Sequence, residues 1–400
     1  MSGYLDCLAN QVERKTVLRV LLAALTLQFA FGLVYSWGAV APYLLREHWS
    51  PLLVGTVFSA TPLGYGTGVV FGGRLADRLP PRRLCWAGLG LLSLGLSTAL
   101  IAPSGPAFVI FYSLLGLGLG GGLALAGAIA AGRHVLPRRL GLVSGAITAA
   151  YAIAAPIQVP VISLLAETYG WLAALRLMGG SMTVLSALAL TAMPHIARPA
   201  SHADERAGAL ALLRRPLVWS AVLLQACSTP LGTFAFVNMA AYGRSLHLAA
   251  WLTTAAITAV ATGTAIGRIG GGAATDRLGV DRVMLAAYVV DAACAVALFL
   301  APASPSLLPL VGIVVGVAFG IPAGAVARLS IDGAPDAPNH AFGIIFVGFA
   351  IGAFAGPLVG AAVGGAVAWL VVGAPAALGL AVVAYRLRLR SRAEGPGPSR

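Results

Sequence analysis

The chain has 400 residues, of which 59% are hydrophobic and only 10% are charged, and it contains 50 glycines. A soluble globular protein is about 25% charged, and a disordered chain is far poorer in apolar residues, so the composition excludes both classes. It indicates an integral membrane protein, and because about 20 apolar residues span a bilayer as a helix, the length allows about twelve spans.

Apolar runs between clusters of charge predict twelve transmembrane helices, which makes the expected fold class an all-α polytopic membrane protein. In chain order, helices 1 to 12 are expected over residues 17–43, 52–76, 84–103, 107–132, 142–166, 171–192, 217–243, 250–275, 283–302, 306–329, 341–363 and 366–386. The boundary between helices 11 and 12 depends on the short Gly364-Gly365 junction.

The longest polar stretch lies between helices 6 and 7 and divides the helices into two sets of six. The expected organisation is an N-terminal six-helix bundle, a cytoplasmic linker, a C-terminal six-helix bundle and a cytoplasmic tail, over residues 1–192, 193–216, 217–386 and 387–400.

Basic residues alternate between the connections as the positive-inside rule requires. Of the 26 Lys and Arg residues, 22 fall on one predicted side, Arg46 and Arg244 fall on the other, and Arg176 and Arg268 lie within helices. We therefore expect a multi-pass protein of the inner cell membrane with both termini in the cytoplasm. Its partner is the lipid bilayer and not nucleic acid, because these loops explain the net charge of +13.

The two halves contain related segments at an offset of 199 residues. Residues 72–83 and 271–282 are identical at six of twelve positions. At the same offset, Gly64 aligns with Gly263 and Gly68 with Gly267. Glycines at every fourth position lie on one helix face and allow a second backbone to approach closely. Helix 11 has a similar series, which indicates either a tight helix contact or a flexing point.

The segment Gly73-Arg74-Leu75-Ala76-Asp77-Arg78, followed by Arg82-Arg83, resembles the signature of the major facilitator superfamily. This resemblance implies a secondary transporter of two pseudo-symmetric six-helix bundles that functions as a monomer. It also implies a cytoplasmic gate built by Asp77 and Arg78 and, through the weaker second copy, by Asp276 and Arg277. In the family this Asp faces the N-terminal end of helix 11, which favours a carboxylate. The alternative is that these charges only fix the topology.

Arg268 is an ionisable group inside a predicted span, where such groups are costly and usually functional. It lies seven residues before Thr275, about 10 Å from the cytoplasmic helix end, and aligns with Val69 in the first half. A guanidinium stays charged and matches a carboxylate in two bonds, which favours anion binding over a structural ion pair. Asp291 in helix 9 is expected at the same depth, where it balances Arg268 or carries a coupled proton.

Polar and aromatic residues on other helices are further candidates for lining the transport path. Helix 1 has Gln28, Tyr35 and Trp37, helix 5 has Tyr151, and helix 7 has Asn238. Gln28 and Tyr35 are seven residues apart and share a helix face. The alternative for each residue is ordinary helix packing.

Within the superfamily, residues 32–37 and 141–145 resemble the oxalate/formate antiporter group, which is related to monocarboxylate transporters. The resemblance implies that Arg268 binds substrate and that Tyr35 and Tyr151 belong to an aromatic cage. Oxalate-exchanging members have a lysine in helix 11, where this chain has Phe349. A dianion beside a single buried cation would leave an uncompensated charge in a low dielectric, so a monocarboxylate is expected.

The sequence thus predicts a secondary transporter for a small organic anion that works by alternating access, as proton symport or anion exchange. The alternatives are a drug or sugar carrier of the same fold and a solute sensor that does not transport. No enzyme is expected, because no His, Asp and Glu residues cluster at a membrane face. The four cysteines lack metal-ligand or disulfide spacing, so no metal and no cofactor are expected.

Overall fold

The computed structural model describes residues 2–196 and 208–393. Helices make up 90% of the structure, and the described residues form no strands. Twelve helical segments in this part of the chain are long and apolar enough to cross a membrane, which confirms the predicted fold class. The chain separates into two compact units, Met1–His202 and Ala203–Arg400. Their boundary falls in the predicted linker, whose residues 197–207 lie outside the described residues.

The first unit contains spans 1 to 6, which are Glu13–Arg46, Leu53–Ala76, Pro81–Ile101, Gly105–Val135, Pro137–Tyr169 and Trp171–Ala192. The α-helices of this unit are Ser2–Phe31, Trp37–Arg46, Pro51–Ala76, Pro81–Ile101, Gly105–Ala107, Gly121–Val135, Leu140–Tyr169 and Trp171–Ala192. A 3₁₀ turn over Gly32–Ser36 interrupts span 1, and Phe108–Gly120 in span 4 is π-helical.

The second unit contains spans 7 to 12, which are Pro216–Met239, Trp251–Leu278, Val280–Ala303, Pro305–Gly333, Pro338–Val363 and Val367–Ser391. Its α-helices are Ala209–Leu213, Pro216–Ser228, Pro230–Ser245, Ala250–Leu278, Val280–Leu300, Leu308–Gly333, Pro338–Val363, Val367–Gly373 and Pro375–Ala393. The twelve spans correspond one to one with the twelve predicted helices.

Spans 1 and 7 are both broken, and at matching places. Span 7 changes helix at Thr229, because Pro230 has no N–H to continue the helical ladder. At the offset of 199 residues, Pro230 aligns with Phe31, after which span 1 enters its 3₁₀ turn. The duplication therefore preserves a break in the first span of each unit.

The aligned glycines bring spans 2 and 4, and likewise spans 8 and 10, into direct backbone contact. A Cβ built on Gly68 would lie 2.4 Å from the carbonyl oxygen of Leu119. One built on Gly267 would lie 2.2 Å from that of Val317. The predicted close approach is confirmed in both units.

The glycines of span 11 serve the same purpose against span 7. A Cβ on Gly348 would lie 2.0 Å from the carbonyl oxygen of Val222, and one on Gly356 would lie 2.3 Å from that of Pro230. This confirms the expected tight contact. Gly364 and Gly365 adopt φ angles of 68° and 60° and separate spans 11 and 12 as predicted.

Span 12 is longer than predicted. We expected helix 12 to end at residue 386, but its second helix runs over Pro375–Ala393. The prediction treated the terminal arginines as loop charge, whereas ion pairs within the second unit hold two of them. Of the predicted tail, residues 394–400 lie outside the described residues.

Candidate functional site

Arg268 lies inside the second unit, and only 6% of the residue is exposed. Its backbone packs against span 10: a Cβ on Gly320 would lie 2.8 Å from the Arg268 nitrogen, and one on Gly324 would lie 2.5 Å from its oxygen. Val69, its counterpart in the first unit, is fully buried. The second unit thus has a buried cation, on a closely packed backbone, where the first unit has a buried apolar side chain.

Asp291 is also buried, with 3% exposed, but it does not form an ion pair with Arg268. Its Oδ1 makes no hydrogen bond among the described residues. The predicted pairing assumed that spans 8 and 9, adjacent in the chain, lie side by side at this depth. Span 8 instead packs far more extensively on span 10 than on span 9. The alternative role of Asp291 in binding a coupled proton stays a prediction.

Three tyrosines come together in the first unit. Tyr35, in the 3₁₀ turn of span 1, meets Tyr151 of span 5 edge-on with ring centroids 5.4 Å apart, and Tyr65 of span 2 lies 5.6 Å from Tyr151. The turn is held against span 5, because a Cβ on Gly32 would lie 2.1 Å from that of Ala154. We call Tyr35, Tyr65 and Tyr151 the tyrosine cluster. Tyr65 was not among the predicted lining residues, although its position within the glycine series of helix 2 was a usable signal.

Gln28 links span 1 to the tyrosine cluster. The side chain is fully buried, and its Oε1 accepts a hydrogen bond from the Tyr65 hydroxyl at 3.3 Å. Its Nε2 makes no hydrogen bond among the described residues. Such a donor costs its full desolvation energy, and a bound acceptor would relieve that cost.

Two other predicted lining residues have structural roles. Trp37 is buried in the core of the first unit, where its ring contacts those of Phe108 and Tyr112 and its Nε1 donates to the Val54 carbonyl at 2.9 Å. Asn238 donates to the Phe234 carbonyl at 3.2 Å within its own helix. In both cases helix packing explains the side chain better than substrate contact.

Phe349 belongs to a row of aromatic rings in the second unit. It stacks on Phe346 at 4.9 Å and lies 5.9 Å from Phe319, which in turn lies 5.9 Å from Phe236. We call these four residues of spans 7, 10 and 11 the phenylalanine row. The unit that carries Arg268 therefore also contains a continuous row of aromatic rings.

The two copies of the charged motif have similar environments. Asp77 caps the helix of span 2 and is half-buried, and its charge acts on Arg133 of span 4, whereas Arg78 is exposed. Asp276 is likewise half-buried near the end of span 8, and Arg277 is exposed. These positions are compatible with the gate that the resemblance implies.

An unpredicted cluster of ion pairs lies at the same end of the second unit as Asp276 and Arg277. Asp281, at the start of span 9, lies 2.7 Å from Arg386 and 2.7 Å from Arg390 of span 12. Arg390 also lies 2.6 Å from Asp332 of span 10, which is 3.8 Å from Arg328. Arg386 is fully buried. We call these five residues the Asp281 cluster. Its signal was the four-residue spacing of Arg386 and Arg390 on one helix face.

A separate ion pair joins the start of span 7 to the loop before span 11. The Arg215 guanidinium donates two hydrogen bonds to the Asp336 carboxylate, one of them at 2.7 Å. These bonds lower the pKa of Asp336 and raise that of Arg215. The described residues contain no group of His, Cys, Asp and Glu that could hold a metal ion.

Known structures share this architecture. The crystal structure of FucP, a Major Facilitator Superfamily transporter in the outward conformation, is 17% identical with a TM-score of 0.70, covering 93% of this chain and 99% of FucP. The proton:xylose symporter XylE, bound to 6-bromo-6-deoxy-D-glucose, is 14% identical with a TM-score of 0.71, covering 92% and 95%. At these identities the likeness concerns the fold alone.

Sequence comparison gives the family. No sequence among the curated proteins matches the chain. Residues 20–337 match the family model described as Major Facilitator Superfamily. That range covers more than three quarters of the sequence and includes both copies of the charged motif. The chain therefore belongs to the Major Facilitator Superfamily of membrane transporters.

Proposed function

We propose that this protein is a secondary transporter for a small organic anion, a monocarboxylate, which it moves by alternating access between its two units. The observation that carries this proposal is the buried guanidinium of Arg268. A permanent cation inside a membrane bundle is costly, and an anionic substrate that pairs with it offsets this cost. No such cation stands at the matching position of the first unit, which has Val69.

The charge of the site favours a monoanion. Arg268 alone neutralises one carboxylate through two parallel bonds, whereas a second carboxylate would remain uncompensated in a low dielectric. Phe349 supports the same conclusion, because the oxalate-exchanging transporters that this chain resembles have a lysine at its place.

The phenylalanine row supports a substrate with an apolar body. Aromatic faces bind apolar groups with favourable ring contacts, and the row lies in the same unit as Arg268. We propose that Arg268 binds the carboxylate and that the row contacts the remainder. In the first unit, Gln28 and the tyrosine cluster stay candidate substrate contacts, and the amide donor is Gln28 Nε2. Asp77, Arg78, Asp276 and Arg277 are proposed to gate the cytoplasmic side.

A sugar is the second candidate substrate. Gln28 Nε2 and Gln225 Oε1 are buried amide atoms without a hydrogen bond among the described residues, and amides of this kind suit hydroxyl groups. FucP and XylE, which share the fold, are described as symporters of fucose and xylose with protons. A sugar, however, carries no carboxylate that could bind the Arg268 guanidinium through two parallel bonds.

A thermal-shift panel on purified protein separates these candidates. The ligands are pyruvate, phenylpyruvate, lactate, oxalate, fucose and xylose, and the proteins are the wild type, Arg268→Ala and the charge-preserving Arg268→Lys. We expect monocarboxylates to raise the melting temperature of the wild type, to do so weakly for Arg268→Lys, and to leave Arg268→Ala unchanged. Stabilisation of all three proteins by fucose or xylose, with no response to the acids, would overturn the proposal.

A further inference from the structure

Asp291 is a buried acid near the middle of span 9 that the substrate site does not use. Only 3% of it is exposed, and its Oδ1 accepts no hydrogen bond among the described residues. None of the ion pairs of the described residues includes it. An ionised carboxylate in this setting would be uncompensated, so the burial favours the protonated acid.

Two groups on span 9 itself lie within electrostatic reach of Asp291, namely the Tyr288 hydroxyl and the Cys294 thiol. Neither supplies a positive charge. The Tyr288 hydroxyl donates to the Leu224 carbonyl of span 7, so its proton is directed away from the carboxylate. Cys227 of span 7 interacts with Tyr288.

The ionisable groups on the other neighbouring spans do not form ion pairs with Asp291. Arg386 and Arg390 of span 12 pair with Asp281, ten residues before Asp291 and about 15 Å along the helix. On span 10, Arg328 and Asp332 pair with each other at the same end. The ionisable groups of span 8 are Arg268, Asp276 and Arg277, and none of them forms an ion pair with Asp291.

We propose that Asp291 binds the proton that this transporter couples to its substrate. One proton enters the carboxylate from water on one side of the membrane and leaves to water on the other side, in the same cycle as one anion. One positive and one negative charge cross together, so the cycle is electroneutral. The carboxyl is closed to water here, so proton exchange requires another state of the cycle. This inference rests on the proposed function and chooses symport over anion exchange.

Infrared spectroscopy of the full-length protein in lipid tests proton binding without any substrate. Difference spectra between mildly acidic and mildly alkaline buffer should contain a protonated-carboxyl band that Asp291→Asn lacks and Asp291→Glu retains at a shifted frequency. The control is Glu167→Gln, which removes an exposed acid at the end of span 5 and should leave the band unchanged. A band that persists in Asp291→Asn would overturn the proposal.

Pyruvate uptake into proteoliposomes tests the coupling. An inside-alkaline gradient of one pH unit can drive about tenfold accumulation through one coupled proton. The wild type and Asp291→Glu should accumulate pyruvate, whereas Asp291→Asn should lose accumulation and retain pyruvate exchange without a gradient. Gradient-driven accumulation by Asp291→Asn would overturn the proposal. If no acid shows Arg268-dependent binding, the proposed function fails, and the infrared result still decides whether Asp291 binds a proton.

Discussion

Arg390 at the end of span 12 lies 2.7 Å from Asp281 at the start of span 9. The residues that align with this pair in the first unit are Thr191 and Arg82, and Arg82 Nη2 donates to the Thr191 carbonyl at 3.3 Å. The contact between the third and sixth span of each unit is thus preserved. In the second unit, however, this contact is an ion pair, and Arg386 and Asp332 extend it.

Removing Arg386 from the Asp281 cluster should destabilise the second unit strongly. Its guanidinium bonds Asp281, the Leu217 carbonyl at 2.7 Å and the Ser220 hydroxyl at 2.9 Å. Breaking one side of a buried ion pair typically costs about 3–5 kcal/mol. We therefore expect Arg386→Met to lower the melting temperature in detergent.

Two further variants control this experiment. Arg388→Met removes an exposed arginine of the same helix and should change little. The double variant Asp281→Asn/Arg386→Met removes both charges and should recover part of the loss. If Arg386→Met melted like Arg388→Met, the cluster would have no role in stability.

The contact between spans 8 and 10 should not tolerate a methyl group. Gly267→Ala would place a Cβ 2.2 Å from the Val317 carbonyl oxygen, whereas Gly270 on the same helix has nothing within 4 Å. Since overpacking costs about 1–3 kcal/mol and the obstacle here is backbone, we expect at least that loss for Gly267→Ala. Gly270→Ala should be neutral or slightly stabilising. Equal melting temperatures for the two variants would contradict this packing.

The Tyr65 hydroxyl should contribute to ligand affinity through Gln28, whose side chain it orients at 3.3 Å. A hydrogen bond contributes about 1 kcal/mol, so Tyr65→Phe should weaken pyruvate binding about fivefold. Tyr112→Phe is the matched control, because Tyr112 is a buried tyrosine of the same unit whose ring packs against Trp37 and Phe108 in the core. The affinity for pyruvate is measured by calorimetry. An equal loss of affinity in Tyr65→Phe and Tyr112→Phe would show that the Tyr65 hydroxyl has no specific role in binding.

The pair of Arg215 and Asp336 predicts a small, pH-dependent contribution to stability. Hydrogen bonds from Arg215 lower the pKa of Asp336, so the stabilisation is present above the unfolded-state pKa of about 3.9. It is lost as the pH falls through the folded-state value. Because both side chains are more than a third exposed, the effect should be at most about 1 kcal/mol.

Melting curves of the wild type and Asp336→Asn should therefore differ slightly at neutral pH and converge in acid. High salt should also reduce the difference, because exposed charges are screened. A difference that grew on acidification would contradict the assigned direction of the pKa shift.

Much of the fold could be predicted from the sequence, because apolar runs and charge clusters alternate along the chain. The glycine series even indicated which faces pack closely, although not that span 8 meets span 10. Which span packs against span 8 is decided by the tertiary structure and not by the order of helices in the sequence. For this reason the predicted pairing of Asp291 with Arg268, which was based on helix order, was wrong. The motif resemblance predicted Tyr35 and Tyr151 as members of an aromatic cage, and in the structure their rings are in contact.

The Asp281 cluster could not be predicted, because the arginines near the C-terminus also fit the positive-inside rule as loop charges. Arg386 and Arg390 are spaced for one helix face, but their partners come from the start of span 9 and the end of span 10. Contacts between residues so far apart in the chain require the packing of spans to be known. The position of Trp37 could not be predicted for a related reason, since the 3₁₀ turn of span 1 precedes it and its ring enters the core.

The most direct test of an anion site at Arg268 is counterflow of radiolabelled pyruvate in proteoliposomes, with unlabelled pyruvate, oxalate or fucose trapped inside. We predict rapid counterflow against pyruvate, little against oxalate or fucose, and none for Arg268→Ala in any combination. Counterflow that persists in Arg268→Ala, or that trapped fucose supports better than pyruvate, would contradict a monocarboxylate carrier built around this arginine.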